Sequence, residues 1–154
     1  MPIHDIIAAG AIIPSLHVDS KKQLLQEIAA KAAELTGRDA REIYETLNDR
    51  ERLGSTGAGG GIAIPHGKLP KLTRMTGLFA RLDRPVDFDA IDGQPVDLVF
   101  VLLAPEGAGA DHLKALSRIA RLTRDPAHVQ KLRSARDEAT LRLLLAQPVT
   151  SNAA

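Results

Sequence analysis

The stretch Val96-Asp97-Leu98-Val99-Phe100-Val101-Leu102-Leu103 constrains the fold more than any other, being apolar at every position but one. Neighbouring side chains of a strand point to opposite faces of a sheet, so a strand apolar on successive residues must be covered on both sides. This segment is therefore expected at the centre of a sheet, with helices packed against it. The longest uninterrupted apolar run, Leu98 to Pro105, is far shorter than the roughly eighteen residues a membrane span needs.

The rest of the chain supplies those helices and further strands. After a short first segment ending near Gly10, Ile12 to Val18 reads as an extended piece interrupted by Pro14. Ser20-Lys21-Lys22-Gln23 matches a capping box, and Leu24, Leu25, Ile28, Ala29, Ala32 and Leu35 follow at helical spacing until Gly37. Asp39 and Glu42 open a second helix with Ile43, Tyr44 and Leu47 on its apolar face, running into Asp49-Arg50-Glu51-Arg52. Gly54, Gly57, Gly59, Gly60 and Gly61 then fall so close together that a loop is expected. Ile62-Ala63-Ile64, Met75 to Leu82 and Val86 to Ala90 read as strands, with a turn at Asp92-Gly93. Asp111 is a candidate cap for a helix carrying Leu113, Leu116, Ile119, Ala120 and Leu122. Val129 and Leu132 suggest another helical turn or two, and a last helix spans about Asp137 to Ala146. The expectation is a mixed-sheet α/β sandwich of about five strands flanked by helices, a single domain over 1–154 with its core at about 5–146 and a frayed tail at 147–154.

Composition removes several classes of function. Twenty Lys and Arg against nineteen Asp and Glu give a net charge of +1, without the positive field of a nucleic-acid binder. Tyr44, Phe79, Phe88 and Phe100 are the only aromatics, too few for base- or sugar-stacking platforms. The absence of cysteine excludes disulfides, thiolate zinc sites, iron–sulfur clusters and a cysteine nucleophile, and suits the cytoplasm. The five histidines have no His-x-x-x-His or Glu-paired spacing, so neither a metal nor a cofactor is expected. Met1-Pro2-Ile3-His4-Asp5 lacks the basic and apolar regions of a signal peptide, and direct membrane insertion is not expected.

Two adjacent segments can carry chemistry. The loop Gly54-Ser55-Thr56-Gly57-Ala58-Gly59-Gly60-Gly61 fits neither the Walker pattern, the dinucleotide fingerprint nor the Gly-x-Ser-x-Gly elbow, and an ordinary turn accounts for it as well as an anion cradle does. In Gly61-Ile62-Ala63-Ile64-Pro65-His66-Gly67-Lys68 a histidine ends a short strand between a rigid Pro and a permissive Gly. Gly67 offers no side chain to block a partner approaching the ring. A neutral imidazole, with a pKa of about 6.5, attacks a phosphoryl group without activation, although a lone histidine can equally serve packing. Such transfer asks for cationic and hydrogen-bonding groups around the phosphoryl oxygens and no carboxylate beside the nucleophile.

These segments, followed by Phe88-Asp89-Ala90-Ile91-Asp92-Gly93-Gln94-Pro95-Val96-Asp97-Leu98 and then His112-Leu113, resemble the enzyme IIA proteins of the bacterial phosphotransferase system. The likeness is to their nitrogen-regulatory branch, related to the fructose and mannitol IIA domains. The resemblance implies a phosphocarrier in which His66 accepts a phosphoryl group from a small histidine phosphocarrier protein. It also implies that Arg50, within Arg50-Glu51-Arg52-Leu53-Gly54-Ser55-Thr56, clamps the phosphoryl group, with Arg52 as rival. Gly54, Ser55, Thr56 and Gly57 would form the phosphoryl-binding loop through amides and hydroxyls. His112 would be a supporting donor at a helix start, where free amides favour anions. His4, His17 and His128 have no motif context and read as surface or packing residues. Lys114, Arg118 and Arg121 form a basic stripe, either solvated or able to dock an acidic partner.

Three functions fit this reading. A regulatory phosphocarrier would change its protein partners, such as a transporter or a sensor kinase, with the charge state of His66, in nitrogen- or potassium-type control. A sugar-specific IIA component would instead pass the group to a separate IIB. A binding module would act without phosphorylation, which the intact Pro65-His66-Gly67-Lys68 run argues against.

Overall fold

The computed structural model describes residues 3–146. In chain order its first half holds α1 (Ile3–Ile6), β1 (Ile7–Leu16), α2 (Lys21–Thr36), α3 (Ala40–Arg52), β2 (Gly57–Gly59), β3 (Ile62–Ala63) and β4 (His66–Leu69). The second half holds β5 (Thr76–Val86), β6 (Val96–Pro105), α4 (Ala110–Thr123), α5 (Pro126–Ser134) and α6 (Glu138–Ala146). The tail expected at 147–154 lies outside the described residues.

The apolar run forms β6, which is paired on both sides, and every residue from Leu98 to Ala104 is buried. The sheet order is β1-β5-β6-β3-β2, with β4 also on β6. β5 runs antiparallel to β6, β3 and β4 run parallel to it, and β1 runs parallel to β5, so the sheet is mixed as expected. Helices α2 and α3 pack on each other and against β1, β5 and β4, while α4, α5 and α6 pack in succession and reach β6 and β1. Both faces of β6 are thereby covered. Phe79 and Phe100, a cross-strand pair on β5 and β6, meet edge to face with centroids 4.9 Å apart at the heart of the core.

Local chemistry explains most boundaries. The Ser20 hydroxyl accepts from the Gln23 N–H, and the Gln23 side chain reaches the Asp19 amide, one residue ahead of the cap. Gly37 takes the left-handed conformation at the end of α2, and Asp39 caps α3. Asp125 caps α5, with Pro126 in its first turn.

Several expectations need correction. The six strands among the described residues fit the expected mixed sheet of about five, but two were not expected: β2, which forms a hairpin with β3 inside the glycine-rich segment read as loop, and β4, which follows Pro65 along β6. β1 starts at Ile7 and continues through Gly10 with irregular register; as an edge strand it tolerates Pro14. The strand expected at Val86 to Ala90 is absent, since β5 ends at Val86 and Asp89 adopts a positive φ. Helix α4 is capped by Gly109, with Asp111 already inside it. Its buried stripe is His112, Ala115, Ile119 and Leu122, which leaves Leu113 70% exposed rather than in the core.

Candidate functional site

β3 and β4 lie along β6 in unbroken register, Ile62 opposite Leu98 and His66 opposite Leu102, with Ile64-Pro65 interrupting them. His66 therefore opens a second strand piece instead of ending the first. Pro65 has no N–H to give a ladder, but its carbonyl still accepts from Leu102 N–H. At this break the Ile64 N–H donates to the Thr56 carbonyl at 3.0 Å, and the Ile64 carbonyl faces the His66 ring.

The ring contact sets the chemistry of His66. Nδ1 lies 2.8 Å from the Ile64 carbonyl, which can only accept, so the proton of the neutral ring sits on Nδ1 and Nε2 carries the lone pair. The pKa lies below the ordinary histidine value chiefly because the ring is buried, with the Arg50 guanidinium adding to that; the Ile64 hydrogen bond and the Glu51 carboxylate work against it. The result is a half-buried, neutral imidazole with one fixed tautomer.

His112, at the start of α4, places its ring edge-on to His66 with centroids 5.7 Å apart. It is buried, and its Nε2 makes no hydrogen bond among the described residues. Burial holds its pKa down, with the charges of His66 and Lys68 contributing further.

The two arginine candidates separate. Arg50, in the last turn of α3, donates to the Gly54 carbonyl at 2.8 Å, and its charge acts on His66. Arg52 is exposed, pairs with Asp49 at 3.6 Å and lines the groove between α2 and α3 with Lys22 and Tyr44.

The Gly54 to Gly57 segment lies against the site with its polar groups largely engaged internally. The Ser55 hydroxyl donates to the Phe88 carbonyl and accepts from Gly57 N–H, while the Thr56 amide and hydroxyl both donate to the Glu51 carboxylate. Gly57 is required by close approach, since a Cβ there would sit 2.8 Å from the Ala90 Cα. Gly67 makes room for the Thr46 methyl of α3, which a Cβ would meet at 2.6 Å.

Sequence reasoning missed Glu51. A carboxylate was expected to be kept away from the nucleophile, yet Glu51 is 7% exposed and close enough for its charge to act on His66. Lys21 neutralises it at 3.0 Å while sitting 4.5 Å from the Phe88 ring centroid and 3.7 Å from Asp89. The available signal was spacing: Ile43, Leu47 and Glu51 fall four apart on the buried stripe of α3. Among the other histidines, His17 contacts Asp19 and Asp83 at the surface and His128 is buried on α5. No cluster of three or more His, Asp or Glu able to hold a metal occurs among the described residues, and no helix there is long and apolar enough to cross a membrane.

A fold of this order, with a single-tautomer histidine at a strand break, defines a recognisable class. The chain belongs to the family described as phosphoenolpyruvate-dependent sugar phosphotransferase system, EIIA 2, whose model matches residues 5–147. It is 65% identical over 148 residues to a nitrogen regulatory protein of Bradyrhizobium diazoefficiens, covering 96% of this chain and 97% of that protein. A nitrogen regulatory protein of Escherichia coli K12 is 43% identical over 127 residues, 82% of this chain and 78% of that one. The crystal structure of nitrogen regulatory protein IIA-Ntr from Neisseria meningitidis matches with a TM-score of 0.89 at 37% identity, covering 93% of this chain and 98% of that chain. The IIA mannitol structure from Escherichia coli shares the fold, with a TM-score of 0.76 at 18% identity over 90% of this chain and 98% of that one.

Proposed function

We propose that this protein is a regulatory phosphocarrier of the phosphotransferase system, working in the cytoplasm as one IIA-like domain, with His66 Nε2 as phosphoryl acceptor. The observation that carries the reading is the 2.8 Å contact between His66 Nδ1 and the Ile64 carbonyl, which leaves the Nε2 lone pair available at neutral pH. In the reaction that lone pair attacks the phosphorus of a small phosphocarrier's phosphohistidine. A new N–P bond forms, the donor's P–N bond breaks, and its electron pair returns to the donor ring, which takes up a proton from water. His66 needs no base, because the attacking nitrogen carries no proton to lose.

In this reading Arg50 balances charge on the phosphoryl oxygens, and the unpartnered His112 Nε2 supplies a hydrogen bond to one of them. Gly54, Ser55, Thr56 and Gly57 contribute as a rigid wall more than as a set of free donors, since Ser55 is bonded to Phe88, Thr56 to Glu51 and the Gly57 amide to Ser55. Phosphorylation adds close to two negative charges to a nearly neutral chain, a change sufficient to alter which protein it binds. High identity to proteins named nitrogen regulatory protein supports regulation, of a transporter or sensor kinase, over sugar delivery.

Intact mass after incubation with phosphoenolpyruvate, the system's first enzyme and its small phosphocarrier tests the proposal. One acid-labile phosphoryl group is expected on the wild type and none on His66→Ala. Equal labelling of both would remove His66 from the role, and no labelling of either would leave a phosphorylation-independent binding module. Fast onward transfer to the cysteine of a IIB protein would favour the sugar-specific function.

A further inference from the structure

A continuous line of contacts runs from the first residue of α2 to the His66 ring. Lys21 Nζ lies 3.0 Å from Glu51 Oε1, and Glu51 Oε1 accepts from Thr56 N–H at 3.0 Å. The Thr56 carbonyl accepts from Ile64 N–H at 3.0 Å, and the Ile64 carbonyl contacts His66 Nδ1 at 2.8 Å. Each link joins a different part of the chain: α2, α3, the loop before β2, the break between β3 and β4, and the imidazole.

We propose that Glu51, with its charge held by Lys21, is a positioning residue for His66: it anchors Thr56, Thr56 anchors Ile64, and the Ile64 carbonyl keeps the ring proton on Nδ1 and Nε2 free. The inference rests on the reading that Nε2 is the acceptor, and adds how the protein sets that nitrogen. Ile64 lies beside a proline that interrupts the strand, so its carbonyl is not fixed by a regular ladder and depends on the Thr56 bond for its direction. Thr56 in turn has its amide and hydroxyl on the one carboxylate.

A buried carboxylate beside an anion-accepting site carries a cost, because it repels the arriving phosphoryl group and favours the imidazolium. Lys21 removes most of that cost while remaining 21% exposed, and the Phe88 face and Asp89 hold its ammonium in place. The pair thus combines a rigid acceptor for Thr56 with a nearly neutral net charge. The charged and titratable groups around His66 are Arg50 and Glu51 on α3, His112 on α4, and Lys68 on β4, which acts on His112.

The test uses the full chain labelled with 15N-histidine, comparing wild type, Glu51→Ala, Glu51→Met, Glu51→Gln and Lys21→Met. Ring nitrogen shifts report the tautomer and pKa of His66, and rapid quench with the phosphorylated small carrier reports transfer. Wild type is expected to hold the Nδ1–H tautomer. Glu51→Ala is expected to mix the tautomers and to lower the transfer rate by roughly 10- to 100-fold, with a smaller change in KM for the carrier, whose docking surface is intact. Opposite shifts of the His66 pKa are expected from the charge variants, upward in Lys21→Met and downward in Glu51→Gln, and report the charge alone; a merely structural role would lower melting temperature in Glu51→Ala while the Nδ1–H tautomer stayed as in the wild type.

Should Glu51→Ala not fold, Glu51→Met carries the test, since it keeps the buried volume and removes the acceptor for the Thr56 amide. Wild-type tautomer and rate in the folded Glu51→Ala or Glu51→Met variant would overturn the inference while leaving His66 as acceptor. Phosphoryl found on another residue of the wild type would overturn the reading beneath it, and the nitrogen shifts would still show whether Glu51 sets the ring.

Discussion

His112 presents its imidazole edge-on to that of His66, with planes at 67° and centroids 5.7 Å apart. A buried ring nitrogen without a partner costs on the order of 1–3 kcal/mol, and His112 Nε2 is such an atom. In the proposed function this atom meets a phosphoryl oxygen during transfer, which would offset that cost. Replacing His112 by Ala is expected to slow phosphoryl transfer to His66 about 100-fold, with thermal stability close to wild type, because an unsatisfied group is removed. Single-turnover transfer and a melting curve measure both, and His112→Gln should recover part of the rate through its amide donor. An unaltered rate in His112→Ala would mean that the ring serves packing.

The same two histidines give the fold a defined pH response. Both pKa values are lowered from 6.5, mainly by burial, so the unfolded chain binds more protons than the folded one just below that value. Stability contributed by the neutral rings is complete above about pH 6.5 and is lost as pH falls from there through the folded-state values. A urea midpoint lower at pH 5 than at pH 7.5 is expected, with the difference reduced in a His66→Gln, His112→Gln double variant. Asp92 and Asp137 also titrate below their ordinary value, held down by backbone N–H groups, but their response begins below about 3.8 and does not overlap this window. An equal difference in the double variant would assign the response to other groups.

What could be read in advance follows from which signals are local. The apolar run of β6 and the capping residues Ser20, Gly37 and Asp39 act through periodicity and adjacent backbone groups, and each sits where its neighbours in sequence require. Phe88 shows the opposite case. The alternation Val86, Phe88, Ala90 reads as a strand, yet Phe88 is buried as a plug beneath Lys21, and Asp89 turns the chain out of the extended region. The motif around His66 was legible because Pro65 fixes the backbone before it and Gly67 follows it without a side chain. Glu51 was harder to read, because a carboxylate on a buried stripe looks like a helix end until a lysine from another helix is seen to neutralise it.

Arg133 fastens the β2–β3 hairpin from α5. Its Nε lies 2.8 and 3.0 Å from the two Asp97 oxygens, its Nη2 donates to the Gly60 carbonyl, and its own carbonyl accepts from Arg81. Truncation leaves the partly buried Asp97 without this partner and releases the turn. Arg133→Ala is therefore expected to cost about 1–2 kcal/mol in chemical denaturation, and Arg133→Lys to recover little because it loses the fork. Loss below 0.5 kcal/mol, roughly the level of an exposed ion pair, would show that solvent replaces the latch.

Gly57 tests how tightly the loop beside His66 is packed. Its own φ is not in the left-handed region, so a substitution is opposed by space and not by torsion. An added Cβ would fall 2.8 Å from both Ala90 Cα and Ala90 Cβ, and Ala90 belongs to the turn that Gly57 holds through its carbonyl on Ile91 N–H. Backbone on both sides must move, and the Ser55 bonds to Phe88 and to Gly57 N–H lie in the same contact. Gly57→Ala is expected to destabilise the fold by about 1–3 kcal/mol and to slow transfer at His66 as well, since the displaced strand leads through Thr56 to Ile64. Shrinking the opposing residue supplies the control: Ala90→Gly removes the Cβ that the new methyl meets but leaves the Cα, so the double variant should recover only part of the loss. Full recovery would place the conflict in the Ala90 side chain alone, and a neutral Gly57→Ala would show that the 88–92 turn yields freely.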